Sequence, residues 1–156
     1  MGDEIQVKQA HTFEDLLDEV VTTIKIPRPG GVIMAVPVKE LSYGEWFQVE
    51  IDDPKPLPPI NVGAGGKKIR DTEDETYKKQ CIPINERWMK RRVLLAINKV
   101  SEENRLHIPG ANEDEQLAEL EKIPMSILTT LYNTLANMHG VKVASVDALA
   151  ETFPTE

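Results

Sequence analysis

A chain of 156 residues with 40% hydrophobic and 28% charged residues is sized for one domain with an aliphatic core. Its net charge of −8 and its 5% aromatic content are the reverse of what a nucleic-acid-binding domain needs, so nucleic acid is set aside as a partner. No apolar run nears the ~20 residues that cross a bilayer, and MGDEIQVKQ has no apolar signal core; the expectation is a cytoplasmic protein with no membrane partner.

The segment HTFEDLLDEVVTTIK places Phe13, Leu16, Leu17, Val20, Val21 and Ile24 on one helical face. The spacing predicts a helix over residues 13–24 with that face buried, capped by Thr12 with Asp15 as its reciprocal partner. Val32, Met34, Val36 and Val38 then alternate with their neighbours as a strand does. Ile24, Lys25 and Ile26 supply the opposing arm of a short hairpin turned at Pro29-Gly30-Gly31. Pro27 and Pro37 restrict both arms to sheet edges. In SYGEW, Ser42 and Glu45 form a capping box that opens a short helix through about Val49.

Residues 54–70 hold four prolines and three glycines, and no regular element fits them. A phosphate loop would need a glycine five residues before Gly66, where Asn61 stands, and Ser or Thr after Lys67, where Lys68 stands. The segment is therefore expected to be a flexible, exposed insert. Beyond it, Asp71 or Thr72 can cap EDETYKKQCI, and Pro83 should interrupt before a second strong helix, INERWMKRRVLLAINKV. That helix is apolar over more than half its circumference, at Ile84, Trp88, Met89, Val93, Leu95, Ala96, Ile97 and Val100, which marks a central element contacted from two sides. A further helix is expected near residues 113–122. Another is expected with Pro124 in its first turn, a stripe at Ile127, Leu128, Leu131, Tyr132, Leu135 and Met138 and a stop at Gly140. Residues 141–156 would hold at most one short helix, with 151–156 a loose end. The expected fold class is mainly α with a small N-terminal β-hairpin, an α+β arrangement in a single domain over residues 1–150.

The charges are unevenly placed, and the basic stretch is confined to residues 67–92, where Lys90-Arg91-Arg92 is its densest part. Two readings follow: ion pairs with the acidic helices, or a docking surface for an acidic partner. The lone Cys81 is expected as a buried small residue, and His11, His107 and His139 as surface or cap residues, since none sits in a metal-ligand spacing. Ser126 and Ser145 lie in no nucleophile elbow, so neither an enzymatic activity nor a cofactor or metal is expected.

From VPVKELSYGEW through NERWMKRRVLLAI to HIPGANEDEQLAELEKIPMSILTTLYNTL, the chain resembles the tail assembly chaperones of long-tailed bacteriophages and related prophages. The likeness spans roughly residues 12–140. It rests on the strand entering ELS-x-GE, the central insert, the Arg-bearing helix and the IPG…EQ turn before an aliphatic helix pair. The resemblance implies a small helical protein that coats the tape measure protein during tail assembly and leaves before the tail is finished. The major tail protein and further copies of the chain are secondary partners. Contact roles are assigned on this basis to Trp88, Lys90, Arg91 and Arg92 on one helix and to Leu128, Leu131, Tyr132 and Leu135 on the other. The alternatives are a structural tail or head-completion component, and a small adaptor that uses the basic stretch 87–92.

Overall fold

A computed structural model describes residue 7 and residues 9–17 and 21–140, so the short helix and loose end expected after residue 140 lie outside the described residues. The first helix starts where its caps put it and stops early. Thr12 Oγ1 accepts from the Asp15 N–H at 3.3 Å, and the Asp15 carboxylate accepts from the Thr12 and His11 N–H groups at 3.1 and 2.8 Å. Yet α1 runs only over Phe13–Leu16, and Phe13, Leu16 and Leu17 are exposed, which corrects both the length and the buried face expected for residues 13–24. The β-branched run Val21-Thr22-Thr23-Ile24 belongs instead to strand β1, Val21–Arg28. Branched side chains lose rotamers in a helix and fit a pleat, and here a partner strand is available.

That partner is β2, Val32–Lys39, antiparallel to β1 over eight pairs from Val21↔Lys39 to Arg28↔Val32. The hairpin is longer than the three-residue arm expected. In a two-stranded sheet every strand has a free edge, so Pro27 and Pro37 are tolerated inside it. Ile24, Ile26, Val36 and Val38 share one face and enter the core, whereas Val32 and Met34, nearer the turn, remain exposed.

Helix α2, Tyr43–Asp52, opens with the expected box: Ser42 Oγ accepts from the Glu45 N–H at 3.2 Å and Glu45 Oε1 from the Ser42 N–H at 2.9 Å. The insert that follows is exposed but not without structure. Residues Ile60–Val62 (β3) and Lys68–Arg70 (β4) pair antiparallel as a small hairpin, closed at its base by Asn61 Nδ2 donating to Asp71, the Asp71 N–H to Pro59 O, and Arg70 Nη1 to Pro58 O. Backbone pairing that rests on turn glycines and side-chain clips has no hydrophobic period, so pattern reading missed it.

Asp74, rather than Asp71 or Thr72, caps α3, which then runs unbroken from Glu75 to Asn98. Pro83 does not interrupt it. Both Pro83 and Lys79, whose carbonyl loses its intrahelical donor, lie on the solvent side, where water can take the place of the missing N–H. Helix α3 is the central element: β2, α2, α4 (Glu113–Leu120) and α5 (Met125–Met138) all pack on it. Val93, Leu94, Ala96 and Ile97 meet the hairpin residues and Leu128, Leu131 and Leu135 in one core, while Val49, Ile84 and Trp88 form a second cluster joined through Leu95. Leu94, omitted from the expected face, is buried as well. Helix α5 ends at Met138 with His139 as its cap and Gly140 at φ 71 as its stop.

Two positions fix how α3 is held. Arg92, 4% exposed, donates from Nε and Nη2 to Trp46 O at 3.1 and 2.8 Å and also pairs with Glu50. Its guanidinium lies 4.2 Å from the Trp46 ring centroid and 5.9 Å from that of Trp88, bridging the two clusters. Gly110, at φ 138, lets the loop before α4 approach so closely that an added Cβ would lie 2.8 Å from Gln116 N. The gain is Gln116 itself, which donates to Ile108 O and accepts from Asn98 Nδ2, tying loop to α3.

Arg92→Ala should lower stability by about 3 kcal/mol in urea unfolding, the lower end for a broken buried pair because Glu50 keeps contact with water. Arg92→Lys should lose at least about 1 kcal/mol, since an ammonium cannot reproduce the fork. Gly110→Ala should cost about 2 kcal/mol or more by the same measurement, since it combines a forbidden φ with a backbone clash.

Candidate functional site

The face of α3 between Asn85 and Arg92 is flanked by α5 and leaves an open groove. One hollow of about 280 Å³ is lined by Asn85, Glu86, Trp88, Met89, Arg92 and Tyr132. A second, about 340 Å³, is lined by Glu86, Met89, Lys90, Glu121, Ile123, Met125 and Leu128, so Glu86 and Met89 belong to both walls. Of the side chains assigned contact roles from sequence, the groove brings together Trp88, Lys90, Arg92, Leu128 and Tyr132. Arg91 points elsewhere, into a hollow of about 200 Å³ between α3 and α4. Leu131 and Leu135 are closed off from solvent and have no surface to offer a partner; at those two positions the stripe is core. Pattern reading singled out neither Glu86 nor Met125, which no stripe includes, although Met125 is 63% exposed at the groove's edge.

The walls are held by ionic and indole contacts. Trp88 Nε1 donates to Asp53 O at 2.8 Å, and Lys55 Nζ sits 4.9 Å over the Trp88 ring, so the indole is pinned between α3 and the end of α2. Arg87 grips Asp53 through Nε and Nη2 at 2.7 and 3.0 Å, which holds the Asp53 carboxyl below the usual carboxylate range. Lys90 pairs with Glu121 at 2.8 Å, with the same effect on Glu121. Arg91 meets Glu113 at 2.9 Å and Asp52 at 3.5 Å. Arg87, Lys90, Arg91 and Arg92 thus each have an acidic partner on α2 or α4 or at the C-terminal cap of one of them, the internal ion-pair arrangement that is the first of the two readings. No buried side-chain polar atom among the described residues lacks a hydrogen-bond partner.

No family model, curated protein or solved structure matches the chain.

A further hollow of about 420 Å³ is lined by Leu16, Leu17, Glu40, Leu41, Ser42, Tyr43, Met138 and His139. A serine and a histidine facing one cavity raise the question of nucleophile activation, and the hydrogen bonds answer it. His139 Nε2 accepts from the Leu41 N–H at 3.1 Å, and Ser42 Oγ is the helix cap, so the imidazole's accepting nitrogen is already occupied. The imidazole packs tilted against Trp46 with ring centroids 4.6 Å apart, linking the end of α5 to the start of α2. Of the two roles expected for it, surface or cap, His139 takes the cap, though its bond to a backbone 98 residues away had no sequence signal. Among the described residues no three His, Cys, Asp or Glu side chains converge as metal ligands would, and no helix is long and apolar enough to cross a membrane.

Burial holds His139 below its ordinary value, with Lys99 and Arg92 adding to the shift and Glu40 and Glu45 opposing it. The unfolded chain therefore takes up this proton first, near pH 6.5. Stability from this group is complete above that pH and falls as pH drops until the folded state is protonated too. The urea midpoint should decline between pH 7 and pH 5, a range above the carboxylate titrations, and His139→Gln should flatten that decline. An equal slope in both proteins would assign it to other groups.

Proposed function

We propose that the chain is a non-enzymatic binding protein whose α3–α5 groove receives an α-helix from a long helical partner. The observation that carries this reading is the groove itself. It is open, floored by Trp88, Met89, Leu128 and Tyr132, edged by the exposed Met125, and rimmed by Glu86 and the Lys90–Glu121 pair. Apolar floors with charged rims suit an amphipathic helix laid in lengthwise, and methionine adapts to varied side chains along it. A long, largely helical chain presents such stripes repeatedly.

The partner we propose is the tape measure protein of a phage tail, with the chain acting as a tail assembly chaperone; this step is supported by the sequence resemblance over residues 12–140. The adaptor reading has less support, because Arg87, Lys90, Arg91 and Arg92 are already paired within the chain. The structural-component reading is separated by location: a chaperone is missing from purified particles, and a component is retained in them.

Co-expression with the tape measure protein of the same genome should raise that protein's solubility and give a complex on gel filtration. Met125→Glu puts a carboxylate on the groove's exposed edge without disturbing a buried side chain. It should weaken the complex at least ~10-fold, or ~1.4 kcal/mol, while the thermal midpoint stays within a few degrees of wild type. Full binding by this variant would remove the groove as the contact. No binding by the wild type, together with retention in finished particles, would replace the chaperone reading by the structural one.

A further inference from the structure

The β3–β4 arm is the most unusual surface of the molecule. Between Asp53 and Asp71 the sequence has four bases, Lys55, Lys67, Lys68 and Arg70, and no acid, in a protein whose net charge is −8. The register Ile60↔Arg70 and Val62↔Lys68 places those four residues on one face of the hairpin, where apolar and basic side chains stand side by side. Ile60, Val62 and Leu57 are all exposed, and among the described residues neither Lys67 nor Lys68 has an ion-pair partner. A two-stranded hairpin of three residues per strand is marginal alone, yet side-chain and backbone clips hold this one in place.

The complementary surface exists on the same chain. Residues 12–17 form one capped helical turn whose Phe13, Leu16 and Leu17 are 70%, 71% and 57% exposed, with Glu14 and Asp15 between them. Backbone hydrogen bonds from His11 and Thr12 hold the Asp15 carboxyl below the usual range, so it stays ionised at neutral pH. This segment is acidic and apolar where the arm is basic and apolar.

We propose that the arm of one copy docks the α1 segment of a second copy, linking chains head to tail. The contact joins two different surfaces, so it is heterologous, and each added copy leaves one arm and one α1 segment free for the next. The shared faces are small beside a standard interface of ~1,600 Å², so association is read at on the order of 100 µM chain and at low salt. This inference goes beyond the groove reading and does not depend on it.

Sedimentation velocity of the full chain from ~10 to ~500 µM tests it. At 50 mM salt the average mass should rise with concentration through dimer to larger species, and 500 mM salt should reduce the rise. The double variant Lys67→Glu with Lys68→Glu, and separately Glu14→Lys, should each stay monomeric, with circular dichroism matching wild type. Mixed in equal amounts, the two variants offer two complementary pairs: the reversed arm with the reversed segment, and the unaltered basic arm of the Glu14→Lys protein with the unaltered acidic segment of the arm variant. The mixture should therefore regain the rise of average mass with concentration, the two variants alternating along each chain, although either alone stays monomeric. A wild type that is monomeric throughout, variants that associate like wild type, or a mixture that stays monomeric would each overturn the proposal.

Discussion

A guanidinium with almost no exposure holds this fold in register. Arg92 is the one charged side chain among the described residues that is fully buried, and it sits where α2 crosses α3, between the Trp46 and Trp88 rings. Burying a charge is unfavourable unless its donors are used, and here they are used by the Trp46 carbonyl and the Glu50 carboxylate. Fixing α2 on α3 has consequences in both directions. On one side it presents Trp46 to Tyr132 and His139 of the last helix, with ring centroids 6.0 and 4.6 Å away. On the other it brings Asp52 and Asp53 to Arg91 and Arg87, so the end of α2 is clamped as well. The groove inherits its shape from this arrangement, because Arg92 is itself part of the wall.

What the sequence made legible was chemistry that acts over one turn of chain. The Thr12 and Ser42 boxes and Gly140 after the last helix lie where their residue types placed them, and Pro124 is one position off, capping that helix and not opening its first turn, since a cap is decided by the next three residues. The failures come from competition at longer range. Residues 13–24 satisfy a helical period, but Val21–Ile24 gain a partner strand about fifteen residues on, and no local count could weigh that gain. Pro83 illustrates the converse. A strong local breaker is overridden because it sits on the wet face of a helix whose other face is buried over several turns.

The candidate site was half legible for the same reason. A stripe of Leu128, Leu131, Tyr132 and Leu135 shows that a helix has an apolar face, but it does not show which part of that face is filled by neighbours. Leu131 and Leu135 meet α3 and the hairpin and vanish into the core. Leu128 and Tyr132 lie where α3 turns Trp88 and Met89 toward them and stops short of closing the gap. The difference is a property of packing among three elements far apart in sequence. Likewise the run Lys90-Arg91-Arg92 points three ways around the helix, so one patch in sequence becomes two surface pairs and one buried clamp.

The surviving surfaces differ in kind, and the difference bears on how binding could be ordered. The groove is mostly apolar, and its Lys90, Glu121 and Arg92 are already paired, so raising salt leaves its main contribution in place. The arm carries charges with no partner among the described residues, and its attraction fades within a Debye length as salt rises. A helical partner seated in the groove would be retained under conditions that dissolve contacts through the arm. If copies gather along one partner, the groove then sets where each copy sits, and the arm adds a weaker neighbour term whose strength grows with local concentration. Because the two surfaces share no residue, and the arm is joined to the body through the Asp53 end of α2 and the Asp74 cap of α3, changes at the arm tip leave Trp88 and Arg92 undisturbed. That separation lets self-contact and partner contact be altered one at a time.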